Sequence, residues 1–238
     1  MYLFDYYLSS NMLYIVLVVP ALILSLIAQA KVKSTYARMS KVTNTSGYTG
    51  AQAAMAVLRY YGITDVYIEE TSGKLSDHFD PRKKVIRLSK EVYYGNSVAS
   101  VGIACHEAGH AAQHAQGYAP IKVRNAIIPV CNIGSYLGIP LAFAGYFLGF
   151  EPLILIGLGL YSLIAIFQLI TLPVEFNASS RAVKVIDETG LLRGEEEIRG
   201  TKKVLSAAAM TYVAALAVSL ANLLRFAVLF LGRGKRRN

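Results

Sequence analysis

Four stretches of this 238-residue chain carry no charged side chain: Tyr6 to Ala30, Ala126 to Phe150, Pro152 to Val174 and Val204 to Leu224. A helix needs about 20 apolar residues to cross the hydrocarbon core of a bilayer, and each stretch reaches that length. The chain is 54% hydrophobic and only 16% charged, whereas charged residues make up roughly 25% of a soluble domain. One ordinary soluble domain is therefore excluded. The pattern predicts a mainly α membrane protein with about four transmembrane helices and one compact polar domain.

The charges between these stretches predict an orientation. Met12 to Ala30 reads as the first span, kinked at Pro20. Ala28-Gln29-Ala30 looks like a cleavage site. However, the apolar core is long and no basic residue precedes it, so an uncleaved anchor is expected. Lys31, Lys33, Arg38 and Lys41 follow at once, which places residues 32–125 in the cytoplasm and the N-terminus outside. Ile121 to Asn125 reads as a basic linker. The turn Gly149-Phe150-Glu151-Pro152 lacks Lys and Arg, as an outside loop should. The second and third spans thus form a hairpin, and residue 175 returns to the side of residue 125. Arg233, Lys235, Arg236 and Arg237 strain this scheme. A full fourth crossing puts them outside, against the rule, unless the last segment is re-entrant. The net charge of +9 flanks apolar spans, so the lipid bilayer is the expected partner and nucleic acid is not. Cys105 and Cys131 fall on a helix and inside a span, and no disulfide is expected in a reducing compartment.

Within the polar domain, Asn44 to Gly50 reads as a loop. Ala51 to Tyr61 reads as a helix closed by Gly62. Val66 to Glu69 and Lys84 to Leu88 read as short strands, separated by turn residues from Ser76 to Arg82. Either strand could offer an edge to an extended peptide. An alanine-rich helix is expected from Ser97 to Gln116, with Ser97 as N-cap and Gly117 as stop.

That helix carries His106-Glu107-Ala108-Gly109-His110. Positions i and i+4 share a helix face, so both imidazoles can reach one metal ion. Glu107 then projects beside them, where it can meet an activated water. The pentapeptide is a metalloprotease signature, and zinc suits such ligands if one position stays open. Cys105 does not share the face of His106. A third protein ligand is still needed. A metzincin would have glycine at position 113 and histidine at position 116, but this chain has Gln113 and Gln116. His114 drifts about 80° from the His106 face, which suits a polar contact more than ligation. His78 is a lone loop histidine. Glu175 follows Pro173, opens a predicted helix Glu175 to Ile186, and lies just beyond the membrane hairpin. A glutamate at a helix start ordinarily complements the helix dipole, so the residues alone leave the third ligand open.

The order His106-Glu107-x-x-His110, a two-span hairpin, then Glu175-Phe176-Asn177-Ala178-Ser179 resembles HtpX-like membrane zinc proteases. Ser179 stands where that group has aspartate. The whole chain more closely resembles the YugP family of neutral zinc metallopeptidases. His106 to Gln113, Asp77-His78-Phe79-Asp80-Pro81-Arg82 and Thr211-Tyr212-Val213-Ala214-Ala215 carry the likeness. The resemblance implies one catalytic zinc held by His106, His110 and Glu175, with Glu107 as general base. It implies a bacterial, multi-pass cell-membrane protease whose physiological substrate is poorly defined; a membrane-associated protein or peptide substrate is expected. His78, Arg181 and Tyr212 are candidates to steady an oxyanion, and His114, Asn177 and Ser179 to support the ligands. The expected layout is an anchor at 1–31, a zincin-like α+β domain at 32–125, a hairpin at 126–174, a third-ligand helix and connector at 175–203 that complete the catalytic domain, and a last span with basic tail at 204–238. Two rivals are an intramembrane, site-2-like protease and a non-catalytic zinc-binding scaffold. The apolar run before His106 is too short to cross, and a scaffold gains nothing from Glu107. A transporter would want ionisable groups inside its spans.

Overall fold

The computed structural model describes residues 11–74 and 76–231. The basic tail expected at Arg233 to Arg237 lies outside them. The elements are α1 (Asn11–Met39, with a π-helical turn at Tyr14–Val18), α2 (Gly50–Tyr60), β1 (Tyr67–Thr71), β2 (His78–Asp80) and β3 (Val85–Ser89). They continue with α3 (Lys90–Tyr93), α4 (Val98–Ala115), α5 (Ala119–Leu148), α6 (Glu151–Thr189) and α7 (Glu195–Leu231). Helices α1, α5, α6 and α7 are long and apolar enough to cross a membrane. The protein is thus mainly α and of membrane type, with a small α+β region.

The chain divides into two compact units. One comprises the residues up to Ala28, Val123–Leu172 and those from Thr211 onward. In it, Ala142, Ile154, Leu158 and Phe230 form a core. Small residues let α5 and α6 approach backbone to backbone: a Cβ on Gly157 would lie 2.4 Å from Ala142 N, and one on Gly134 2.4 Å from Leu160 O. Lipid tails supply no hydrophobic drive between helices, so close packing of this kind holds such a hairpin together.

The other unit, Gln29–Lys122 and Pro173–Met210, contains the sheet. Thr49 and Gln52 form a reciprocal capping box that starts α2, and Gly62 (φ +67°) ends it. The buried faces of α2 (Ala53, Ala54, Val57, Leu58) and α4 (Val98, Val101, Ala104, Cys105, Ala108) share one core with Ile86, Leu88, Ala182, Val185 and Ile186. The sheet order is β1-β3-β2, with β1 parallel and β2 antiparallel to β3. β3 is buried along almost its whole length, as befits the central strand. Asp80 Oδ1 accepts bonds from the amides of Arg82 and Lys83 and so makes the turn into β3.

Three expectations require correction. The turn segment holds a strand, His78–Asp80, because pairing with β3 (Phe79 opposite Ile86) supplies what its propensity lacks. Pro173 does not stop a helix, and Glu175 does not open one: α6 runs unbroken from Glu151 to Thr189 with Pro173 inside. A proline removes one backbone bond, which membrane helices tolerate when neighbouring groups re-satisfy it. The basic linker Ile121 to Asn125 is helical, within α5.

Gly109 lies at a close approach of α4 to α6. A Cβ there would lie 2.6 Å from Ala178 O, a backbone atom that cannot swing aside. Alanine would gain about 1 kcal/mol of helix propensity but would overpack the contact by about 1–3 kcal/mol. We expect Gly109→Ala to lower the thermal unfolding midpoint of the detergent-solubilised protein. An unchanged or higher midpoint would show that the two helices can part without cost.

Candidate metal centre

Helix α4 begins where Ser97 Oγ accepts the Ser100 amide, 3.0 Å away, and ends at Gln116, before Gly117 (φ +65°). Between these limits His106 and His110 stand one turn apart, with ring centroids 4.7 Å apart. The close approach at Gly109 brings the Glu175 to Ser179 turn of α6 against them. Glu175, only 4% exposed, places Oε2 at 3.3 Å from His106 Nε2 and 3.6 Å from His110 Nε2. Ligand atoms of all three residues lie within 4.8 Å of one another.

The donor set fits zinc. Bonds of about 2.0–2.1 Å to nitrogen and oxygen in a tetrahedron set ligand atoms about 3.4 Å apart, and the two spacings from Glu175 Oε2, 3.3 and 3.6 Å, bracket that value. The charges agree. Burial alone would raise the Glu175 carboxyl, but hydrogen bonds from His106 and His110 outweigh it and hold the group well below the usual carboxylate range. Burial would lower His110, yet its bond with Glu175 and the field of Glu107 raise it. A buried carboxylate held charged between two imidazoles is a site that suits a cation.

Both imidazoles are oriented through their other nitrogen. His106 Nδ1 lies 3.1 Å from Ser179 Oγ, and His110 Nδ1 lies 3.0 Å from Gln113 Oε1. With Nε2 turned to the metal, Nδ1–H donates in both bonds, which fixes tautomer and ring angle. Gln113 is fully buried. Its Nε2 donates to Val174 O at 2.7 Å and Asn177 Oδ1 at 3.0 Å, tying the second imidazole to the backbone just before Glu175. Arg181 Nε also donates to Asn177 Oδ1, at 2.7 Å, and Arg181 Nη1 donates to Gln116 Oε1 at 2.5 Å. The guanidinium lies over the rings of Tyr61 and Tyr118, at 5.6 and 5.9 Å.

Not every candidate joins the cluster. His114 is exposed and packs edge-on against Phe79 at 6.0 Å. His78 is exposed; its Nδ1 lies 2.8 Å from Ser76 O and its Nε2 3.4 Å from Arg87 Nη1. Tyr212 belongs to the first unit. Burial pushes the Cys105 thiol up, and Cys105 is not in the metal group. Sequence reasoning used Gln113 to exclude one enzyme class and within the family motif, and missed its role as the link between helices. Its signal was a polar side chain three residues after His110, on the helix face that bears His106, Gly109 and His110. We expect Gln113→Leu to fold but to bind zinc about 10- to 100-fold more weakly in competition with a chromophoric chelator. Unchanged affinity would remove Gln113 from the ligand support.

Residues 14–231 match the family model described as "Putative neutral zinc metallopeptidase". The chain is 50% identical over 220 residues to "Putative membrane protease YugP" of Bacillus subtilis (strain 168), covering 92% of this chain and 97% of that relative. No solved structure matches the chain. The histidine pair and buried glutamate thus occur in a chain that belongs to the neutral zinc metallopeptidase family represented by that membrane protease.

Proposed function

We propose that the protein is a gluzincin-like zinc endopeptidase that hydrolyses peptide bonds of membrane-associated proteins at the membrane surface. One observation carries the reading: Glu175 Oε2 lies between His106 Nε2 and His110 Nε2. His106, His110 and Glu175 would hold a single zinc ion. Bound there, zinc supplies a Lewis acid and brings the pKa of a water to about 7. Glu107, next in the chain to His106 and only partly exposed, accepts the proton of the attacking water and delivers it to the leaving amide nitrogen. Ser179 and Gln113 keep the imidazoles in one tautomer throughout. Arg181, bonded to Asn177 and Gln116, steadies that framework. Strand β2 is a sheet edge packed beside α4, which suits an extended substrate bound as an added strand.

Two observations favour the surface over the interior of the membrane. Helix α4 is not among the four apolar helices, and His106 and His110 belong to the unit that contains the sheet. The basic residues after the first apolar stretch support a cytoplasmic position for this unit.

Glu107→Gln should retain zinc by elemental analysis while losing hydrolysis of an unfolded polypeptide by about 100-fold or more. Normal cleavage by this variant would refute the proton-transfer role. Glu175→Ala should lose zinc, and a full equivalent in that variant would move the third ligand elsewhere. For the orientation, a cysteine at the exposed Phe150 should react with a membrane-impermeant maleimide added to whole cells. One at Lys41 should react only after permeabilisation. The reverse pattern would put the site outside.

A further inference from the structure

A cleft of about 480 Å³ opens between the last turns of α1 and the first turns of α7. Five cations line it, Lys31 and Arg38 from α1 and Arg199, Lys202 and Lys203 from α7, and no carboxylate does. Lys31, Thr35 and Arg38 follow i, i+4, i+7 spacing. Arg199, Lys202, Lys203 and Ser206 follow i, i+3, i+4, i+7 spacing. Two helices thus turn a basic face toward one space. Arg199 is paired with Glu195 at 3.3 Å. Among the described residues, Lys31, Arg38, Lys202 and Lys203 form no ion pair with a carboxylate.

Like charges gathered in a cleft repel one another, and an anion between them removes that cost. The floor is built, since Thr35 and Ala207 are buried. The two helices touch there: a Cβ on Gly200 would lie 2.8 Å from Met39 Sδ. Lys31 ends the uncharged stretch of α1 and Lys203 precedes that of α7, so each basic face begins where its helix leaves the apolar zone. Lipid phosphates lie at that depth, and basic clefts between membrane helices suit anionic headgroups.

We propose that this cleft binds the phosphate of an anionic phospholipid headgroup. An occupant ties α1 to α7, and through α7 it bears on the metal-binding helix. Thr201 Oγ1 donates to Val98 O at 3.3 Å in the first turn of α4. Bound lipid therefore stabilises the catalytic unit as a whole.

The test uses the full-length, zinc-loaded protein in a neutral detergent. It is titrated with phosphatidylglycerol, phosphatidylcholine or inorganic phosphate, and read by native mass spectrometry and by the thermal midpoint. One saturable phosphatidylglycerol per chain should bind and raise the midpoint, with phosphatidylcholine inert. Lys202→Gln/Lys203→Gln should weaken that binding by about tenfold or more. The control Lys33→Gln/Lys41→Gln, also basic but outside the cleft, should change it by less than about twofold. Zinc content reports folding of each variant, and Arg38→Gln, a single exposed change, replaces the pair if zinc is lost. Equal loss in the control would reduce the effect to diffuse surface charge and overturn the proposal. So would equal binding of phosphatidylcholine. Displacement of the lipid by millimolar inorganic phosphate would assign the cleft to a soluble anion instead.

Discussion

A carboxylate buried between two imidazoles organises this protein. Taking a charged glutamate out of water costs several kcal/mol unless opposite charge meets it. At Glu175 the two imidazoles meet it with hydrogen bonds, and a bound metal would supply the opposite charge. The fold must therefore hold α4 and α6 at one separation, since a longer gap would leave three partial ligands and a stranded charge.

Two devices set that separation, and they act on the same turn of α6. Gly109 lets α4 approach the backbone of α6 at Ala178. Gln113 spans from His110 to Val174 O and Asn177, so the approach has a fixed register as well as a fixed distance. Ser179 completes the arrangement by holding His106 from the α6 side. A serine can do so because it accepts one hydrogen bond without adding a second buried charge near Glu175. This is chemically milder than a carboxylate, which would make the imidazole a more basic ligand.

The continuity of α6 matters for the same reason. One continuous helix, Glu151–Thr189, carries Glu175 in its interior rather than at a frayed end. A break at Pro173 would have added freedom at the residue whose placement the site tolerates least. The proline costs one backbone bond and the helix survives it. Rules for helix ends derived from soluble proteins therefore overstate its effect here.

Much of this was legible in local pattern. The spans follow from uncharged length, α4 from its alanines, Ser97 and Gly117, and the histidine pair from helical spacing. All of these depend on residues within about one or two turns of each other. Strand β2 was not legible because three residues without β-branching form a strand only when β3 lies beside them. Gln113 was not legible as a link because its partners are more than sixty residues away. The sequence by itself determined a membrane-type helical chain bearing a pair of metal-ready imidazoles on one face. Only the tertiary structure decided which carboxylate, among 15 acidic residues, is buried against that pair, because that choice rests on long-range packing at a glycine and not on any periodicity.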